Sequence, residues 1–283
     1  MLPGQASQTL LIASIMRARH QLFDAPVILN DPVVLDLVPE ARDPSVLSEL
    51  GDSKGPVAVL LRSLFAMRSR FTEDRLAQAA ARGIRQYVMF GAGLNTFAWR
   101  QPDFAQDMQI FAVDYPASFI QTNRIFRERG FAKPPNLVRV PVDLEQKRLG
   151  EYLEACDFDR GAARFCSALG LTQYLESEMV DDILRFVASL PPSSEIVFTF
   201  VLPDEELDGA NLEIARRVAT KAAELGEPWK SRIRPRTMID KLTHFGFREV
   251  FHLSPEIAQA RYFAGRSDKL VAPQVEQLIS ATV

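Results

Sequence analysis

From Ile84 onward the chain alternates between two rhythms. Short apolar, β-rich runs occupy Gln86–Phe90, Gln109–Val113, Leu137–Val140, Ala163–Ala168 and Glu195–Leu202, and helically spaced stretches at Pro116–Arg129, Gln146–Glu154 and Glu178–Leu190 separate them. Strands joined by helices of this length imply right-handed βαβ crossovers and a parallel sheet. A helix over Glu205–Leu225 follows, broken by Gly226-Glu227-Pro228-Trp229. Another over Arg236–Phe245 leads through Gly246 into a strand at Phe247–Leu253, and a final strand after Ser254 is only weakly signalled.

The first third has the helical rhythm alone. Apolar positions recur at helical spacing over Ser7–Phe23, Asp31-Pro32 opens a short helix reaching Val38, and a polar Gly/Pro-bearing stretch (Pro39 to Pro56) interrupts the pattern. A long helix then runs over Val57–Arg82 and stops at Gly83, a residue suited to a left-handed C-terminal cap. The expected architecture is α/β: a doubly wound, mostly parallel, Rossmann-like sheet. Residues 1–83 form a helical N-terminal cap, residues 84–283 form the sheet domain, and a helical insert falls at about 203–235. Ligands of such sheets sit beyond the carboxyl ends of the strands, near the point where strand order reverses. That rule selects the loops after Phe90, Val113, Val140, Ala168 and Leu202.

One of these loops carries the strongest chemical signal. Gly91-Ala92-Gly93 follows the first strand, and glycine there lets the backbone turn sharply and approach a ligand that a Cβ would exclude. Asp114 ends the second strand about twenty residues on, where a carboxylate can accept both hydroxyls of a ribose. Asp143-Leu144 follows the third strand, offering a carboxylate to an adenine amino group and an apolar cover for the ring. A dinucleotide fingerprint needs a third glycine where Thr96 stands, and no Tyr-x-x-x-Lys pair accompanies it, so an NAD(P)-dependent oxidoreductase is the weaker reading. The glycine turn also lacks a lysine, which disfavours a triphosphate. A nucleoside without phosphates fits, and S-adenosyl-L-methionine is such a nucleoside.

Charge and composition narrow the remaining classes. The formal net charge is −3 over 283 residues, so no nucleic-acid partner is expected. The arginine-rich stretches (Arg124, Arg127, Arg129; Arg232, Arg234, Arg236) read as solvated faces. The two cysteines, Cys156 and Cys166, lack metal-ligand spacing, and so do the three histidines; no metal is expected. The apolar run Leu10–Met16 is too short to span a bilayer, and its basic residues, Arg17 and Arg19, follow it instead of preceding it. A cytoplasmic protein without a membrane partner is expected.

In several places the chain resembles the bacterial S-adenosylmethionine-dependent methyltransferases related to the leucine carboxyl methyltransferases. Arg68-Ser69-Arg70 with Glu73-Asp74 is similar to that family's R-[ST]-R-x-x-[DE]-D segment, and Gln86 to Arg100 to its Q-x-V-x-x-GAGLDT-x-x-x-R block. Val113-Asp114-Tyr115-Pro116, Val142-Asp143-Leu144 and Leu169 to Leu175 also match. So do Glu195 to Pro203, Gly226 to Trp229 and Arg261 to Arg266, in one branch of the family. The resemblance implies a class I methyltransferase fold. It implies that Arg68 pairs with the methionine carboxylate, with Arg70 as second choice. Gly91, Ala92 and Gly93 would pass the methionine portion, Asp114 with Tyr115 would flank the ribose, and Asp143 and Leu144 would read the adenine.

Two positions depart from the family pattern. Asn95 replaces an aspartate, keeping its hydrogen-bonding shape without its charge. Leu169 replaces a glutamate that serves the cofactor's cationic amino group, so that a backbone carbonyl there or Ser167 is expected to take its place. These departures keep open a repurposed fold that binds the cofactor without transferring methyl.

The resemblance favours O-methylation of a carboxylate or hydroxyl. Candidate general bases near the strand ends are His20, Tyr115, Tyr174 and Tyr262, none of which stands out. Apolar residues of the cap and insert, among them Leu22, Phe23, Phe65 and Trp229, suggest a small, largely apolar acceptor of the kind found in secondary metabolism. Phe97 and Trp99 are expected in the core.

Overall fold

A computed structural model describes residues 7–46, 48, 52, 54–145, 159 and 161–283. The expected helix at Gln146–Glu154 and Cys156 lie outside the described residues. Strands β1 (Gln86–Phe90), β2 (Gln109–Asp114), β3 (Leu137–Pro141), β4 (Phe165–Ala168), β5 (Glu195–Val201), β6 (Glu249–Leu253) and β7 (Glu276–Thr282) form one sheet. Its order is β3-β2-β1-β4-β5-β7-β6, and the switch point lies between β1 and β4. Pairings among the first five strands are parallel, while β7 runs antiparallel to both β5 and β6. The chain therefore forms the expected doubly wound, mostly parallel sheet, and the weakly signalled last strand is real and internal.

All five residues of β1 are buried. This is the pattern of a parallel strand covered on both faces. Alternate residues feed separate cores. Val88 and Phe90 join Phe111, Val113, Cys166 and Phe198 on one face, against the helix Ser177–Ala188. Tyr87 and Met89 join Ile110, Ala112 and Phe165 on the other. Phe97 and Trp99 pack as core residues: Phe97 meets Tyr87 edge to face, and Trp99 stacks on Phe126 with ring centroids 3.7 Å apart.

The N-terminal helices α1 (Thr9–Phe23), α2 (Val33–Leu37) and α3 (Pro56–Ala81) cover the carboxyl end of the sheet and one flank. Helix α3 is buried nearly all round through its first half, where it passes between α1 and the sheet, and shows residues such as Arg70 and Gln78 to solvent in its second. Its C-terminal half is fastened to the sheet's amino edge. The fully buried carboxylate of Glu195 takes Arg75 at 2.5 Å and Arg82 at 2.8 Å. A short helix α4 (Phe97–Arg100) follows the glycine turn, and α5 (Pro116–Glu128) follows β2. Two longer helices, Gly209–Glu224 and Pro235–Phe245, come after β5. No helix among the described residues is long and apolar enough to cross a membrane.

Candidate active site

The carboxyl ends of β1, β2, β3 and β4 and the start of β7 open onto a cavity of about 300 Å³, roofed by α1, α3 and the helix Gly209–Glu224. Gly91 (φ +66°) and Gly93 (φ +51°) both hold left-handed conformations that a side chain would strain. A Cβ on Gly91 would also come within 3.1 Å of Leu171. The N–H groups of Gly91 and Ala92 donate to Val113 O, which ties the turn to the end of β2.

Asp114 sits at that end, 8% exposed. Its Oδ2 accepts from Gly93 N–H and its Oδ1 from Tyr115 N–H, each at 2.7 Å. Burial pushes its carboxyl up to about 6, against the opposing pull of those two N–H donors, and the nearby Glu227 carboxylate adds to the rise. Each oxygen keeps an acceptor position for a ligand. Tyr115, Asp143, Leu144 and Glu145 line the same end of the cavity.

Arg68 reaches the cavity from α3. Its guanidinium lies 4.5 Å from the Phe65 ring centroid, donates to Glu276 Oε1 at 3.1 Å and rests against Gly170. Ser167 also lines the cavity, but its hydroxyl is 2.9 Å from Tyr87 Oη, a phenol that burial holds protonated well above its ordinary range. Leu169 presents only an apolar side chain there.

Three residues singled out in the sequence lie away from the cavity. Arg70 is on the opposite side of α3, half exposed and paired with Asp74 at 2.8 Å. Tyr262 donates to that same Asp74 at 2.8 Å on the outer surface. His20 is sealed into a structural network: Nε2 accepts from Ile28 N–H at 2.8 Å, and Nδ1 meets Asp24, which also binds Arg62. This arrangement fixes the tautomer and removes His20 from the cavity. Tyr174 does line the cavity, and burial raises its phenol pKa, so it stays protonated. Among the apolar cap residues, Leu22 and Phe23 point to solvent, whereas Phe65 and Trp229 line the cavity.

The structure also brings in residues that pattern reading missed. Arg17 is 9% exposed, lines the cavity and donates to Leu94 O at 2.7 Å. Its charge stands beside Asp31, Arg100, Arg68 and Glu73. The signal was a basic residue directly after the apolar run Leu10–Met16 on the same helix. Glu227 closes the other side. Its carboxylate accepts from Gln8 N–H and Thr9 Oγ1 at 2.5 Å and from Ser7 Oγ at 3.1 Å, holding the start of α1 against the loop before Trp229.

Residues 10–188 match the family model described as leucine carboxyl methyltransferase. The chain belongs to the leucine carboxyl methyltransferase family. It is similar to YktD of Bacillus subtilis (strain 168), provisionally assigned as an S-adenosyl-L-methionine-dependent methyltransferase, with 28% identity over 98% of both chains. A protein of Mycobacterium sp. (strain KMS) with the same provisional assignment is 32% identical over 61% of this chain and 54% of its own length. The fold matches a DUF574 family protein from Streptomyces avermitilis (TM-score 0.60, 16% identity, 98% and 97% of the two chains). It also matches a protein from Thermobifida fusca provisionally described as a methyltransferase (TM-score 0.57, 18% identity, 99% and 96%). With this family membership the class is fixed: the chain is an S-adenosylmethionine-dependent methyltransferase.

Proposed function

We propose that this protein transfers the methyl group of S-adenosylmethionine to an oxygen, of a carboxylate or a hydroxyl, on a small and largely apolar acceptor. The observation that carries the reading is the two-ended cavity. One end is built from glycine backbone and carboxylates; the other is walled by Leu61, Leu64, Phe65, Ile214, Val218 and Trp229.

The polar end suits the donor's nucleoside. Asp114 has two acceptor positions left for two ribose hydroxyls. Asp143 and Leu144 stand one strand further out, where the adenine amino group and ring face would lie. The Gly91-Ala92-Gly93 turn leaves room that a Cβ would fill, and Arg68 offers a guanidinium to the methionine carboxylate. When bound, the sulfonium supplies an activated methyl group for in-line displacement. The protein's own part is then to hold donor and acceptor in line and to exclude water. Because Tyr174 is kept protonated and His20 is locked in the scaffold, a carboxylate acceptor, which has no proton to lose, suits these walls best.

The test is transfer of tritiated methyl from S-adenosylmethionine to a panel of apolar carboxylic acids, phenols, amines and thiols. Label in base-labile esters or in stable ethers supports the reading. Label confined to nitrogen or sulfur refutes it.

A further inference from the structure

The donor is a zwitterion at its methionine end, and Arg68 accounts only for the negative half. The ammonium is best matched by a carboxylate, and the expected position after β4 offers none: residue 169 is leucine, which leaves only its backbone carbonyl, and Ser167 Oγ is engaged by Tyr87. Five carboxylates line the cavity among the described residues. Asp114 is held at the end of β2, and Asp143 and Glu145 lie beyond β3, at the nucleoside end. Glu227 already accepts three hydrogen bonds, from Gln8, Ser7 and Thr9, and is used to hold the start of α1. Glu276 remains.

Its position follows from the antiparallel strand. Glu276 opens β7 and pairs in register with Val201, at the carboxyl end of β5. This places a carboxylate on the cavity's rim that no parallel strand of the sheet supplies. The residue is 5% exposed. Its Oε1 takes Arg68 at 3.1 Å, and its Oε2 has no hydrogen-bond partner among the described residues. A buried ion pair costs desolvation that its mutual attraction barely repays, so a pair facing a ligand cavity with an acceptor position open calls for a functional account. Charge balance supplies one. Arg68 and Glu276 together are neutral, and so is the amino-acid end of the donor, whose two charges are borne on one carbon. Docked head to tail they form a four-charge ring that is itself neutral, so that the donor's sulfonium is the only charge the ring leaves unpaired.

We propose that Glu276 binds the ammonium of the donor's methionine moiety, forming with Arg68 a paired receptor for the zwitterion. This rests on the reading of S-adenosylmethionine as donor. The experiment is calorimetric titration of wild type and Glu276→Gln with three probes: S-adenosylhomocysteine, its desamino analogue, and 5′-methylthioadenosine, which lacks the amino-acid end. Wild type should bind the desamino analogue about 10–100-fold more weakly than S-adenosylhomocysteine, the range of a charge-assisted contact. In Glu276→Gln the two should bind alike, with methylthioadenosine within about twofold of wild type as the check on folding. A wild-type ratio near one overturns the proposal, and that comparison needs no variant. Equal weakening of S-adenosylhomocysteine and the desamino analogue in Glu276→Gln also overturns it, since Glu276 would then act only by holding Arg68. If wild type binds none of the three probes, the donor reading itself fails and this inference falls with it.

Discussion

Asp114→Asn is the most informative single change, because its effects on stability and on binding are expected to separate. Asparagine preserves shape but removes the charge and turns one acceptor into a donor. In the wild type, burial raises the carboxyl from its ordinary 3.8 to about 6. At about 1.36 kcal/mol per pH unit, keeping the group ionised at neutral pH costs roughly 3 kcal/mol. The sign is that of a raised folded-state value. The associated stability is complete below the ordinary 3.8, and is lost as pH rises through about 6. Asparagine removes that cost but leaves either Gly93 N–H or Tyr115 N–H facing an NH2 group, a penalty of about 1–3 kcal/mol. The two nearly cancel, so denaturant unfolding at neutral pH should change by less than about 2 kcal/mol. Binding has no such compensation. One charge-assisted ribose contact is lost, which corresponds to about a 10–100-fold rise in Kd for S-adenosylhomocysteine. Wild-type affinity should also weaken below about pH 6 as the carboxyl protonates, and the variant should lack that limb. Calorimetry across pH 5–8 checks both. A variant that binds within about threefold of wild type, or that keeps the acid limb, would refute the ribose assignment.

Three further outcomes are expected. Gly91→Ala forces a Cβ into a left-handed conformation and to 3.1 Å from Leu171; it should cost about 1–2 kcal/mol in urea unfolding and weaken methylthioadenosine binding, and unchanged stability would contradict the strained turn. Arg70→Ala removes an exposed pair with Asp74, so stability should move by less than about 1 kcal/mol and S-adenosylhomocysteine affinity should hold, whereas a large affinity loss would put Arg70 back in the site. Glu227→Gln weakens the contacts to Gln8, Ser7 and Thr9 and removes one charge that raises Asp114. Amide exchange at the start of α1 should accelerate, and the acid limb of cofactor binding should move to lower pH; an unmoved limb would argue against that coupling.

That the glycine turn, Asp114 and Asp143-Leu144 would share one cavity was legible in the sequence for a physical reason. The glycine turn, Asp114 and Asp143-Leu144 each directly follow a strand whose apolar run declares itself, and a parallel sheet delivers strand ends to one edge whatever the details of packing. The rest of the site comes from segments whose placement is set by distant contacts. Strand β7 opens with Glu276 and Gln277, polar residues that mask a buried strand, and only its insertion between β5 and β6 brings Glu276 to the cavity. Composition likewise suggested an apolar cap without saying which way each residue faces: Phe23 turns out to solvent and Phe65 inward.

Helical phase alone separates Arg68 from Arg70. Residues two apart on an α-helix point about 200° apart, so a ligand on one face of α3 can meet only one of them. The deciding information lies in the neighbours. Leu61, Leu64 and Phe65 precede Arg68 by seven, four and three positions and share its face, the apolar stripe that turns inward. Arg70 precedes Asp74 by four, the spacing of a solvent-side ion pair. The phase of α3 therefore assigns Arg68 to the cavity and Arg70 to the surface, and the motif that contains both arginines holds one cavity residue and one surface pair within three consecutive residues.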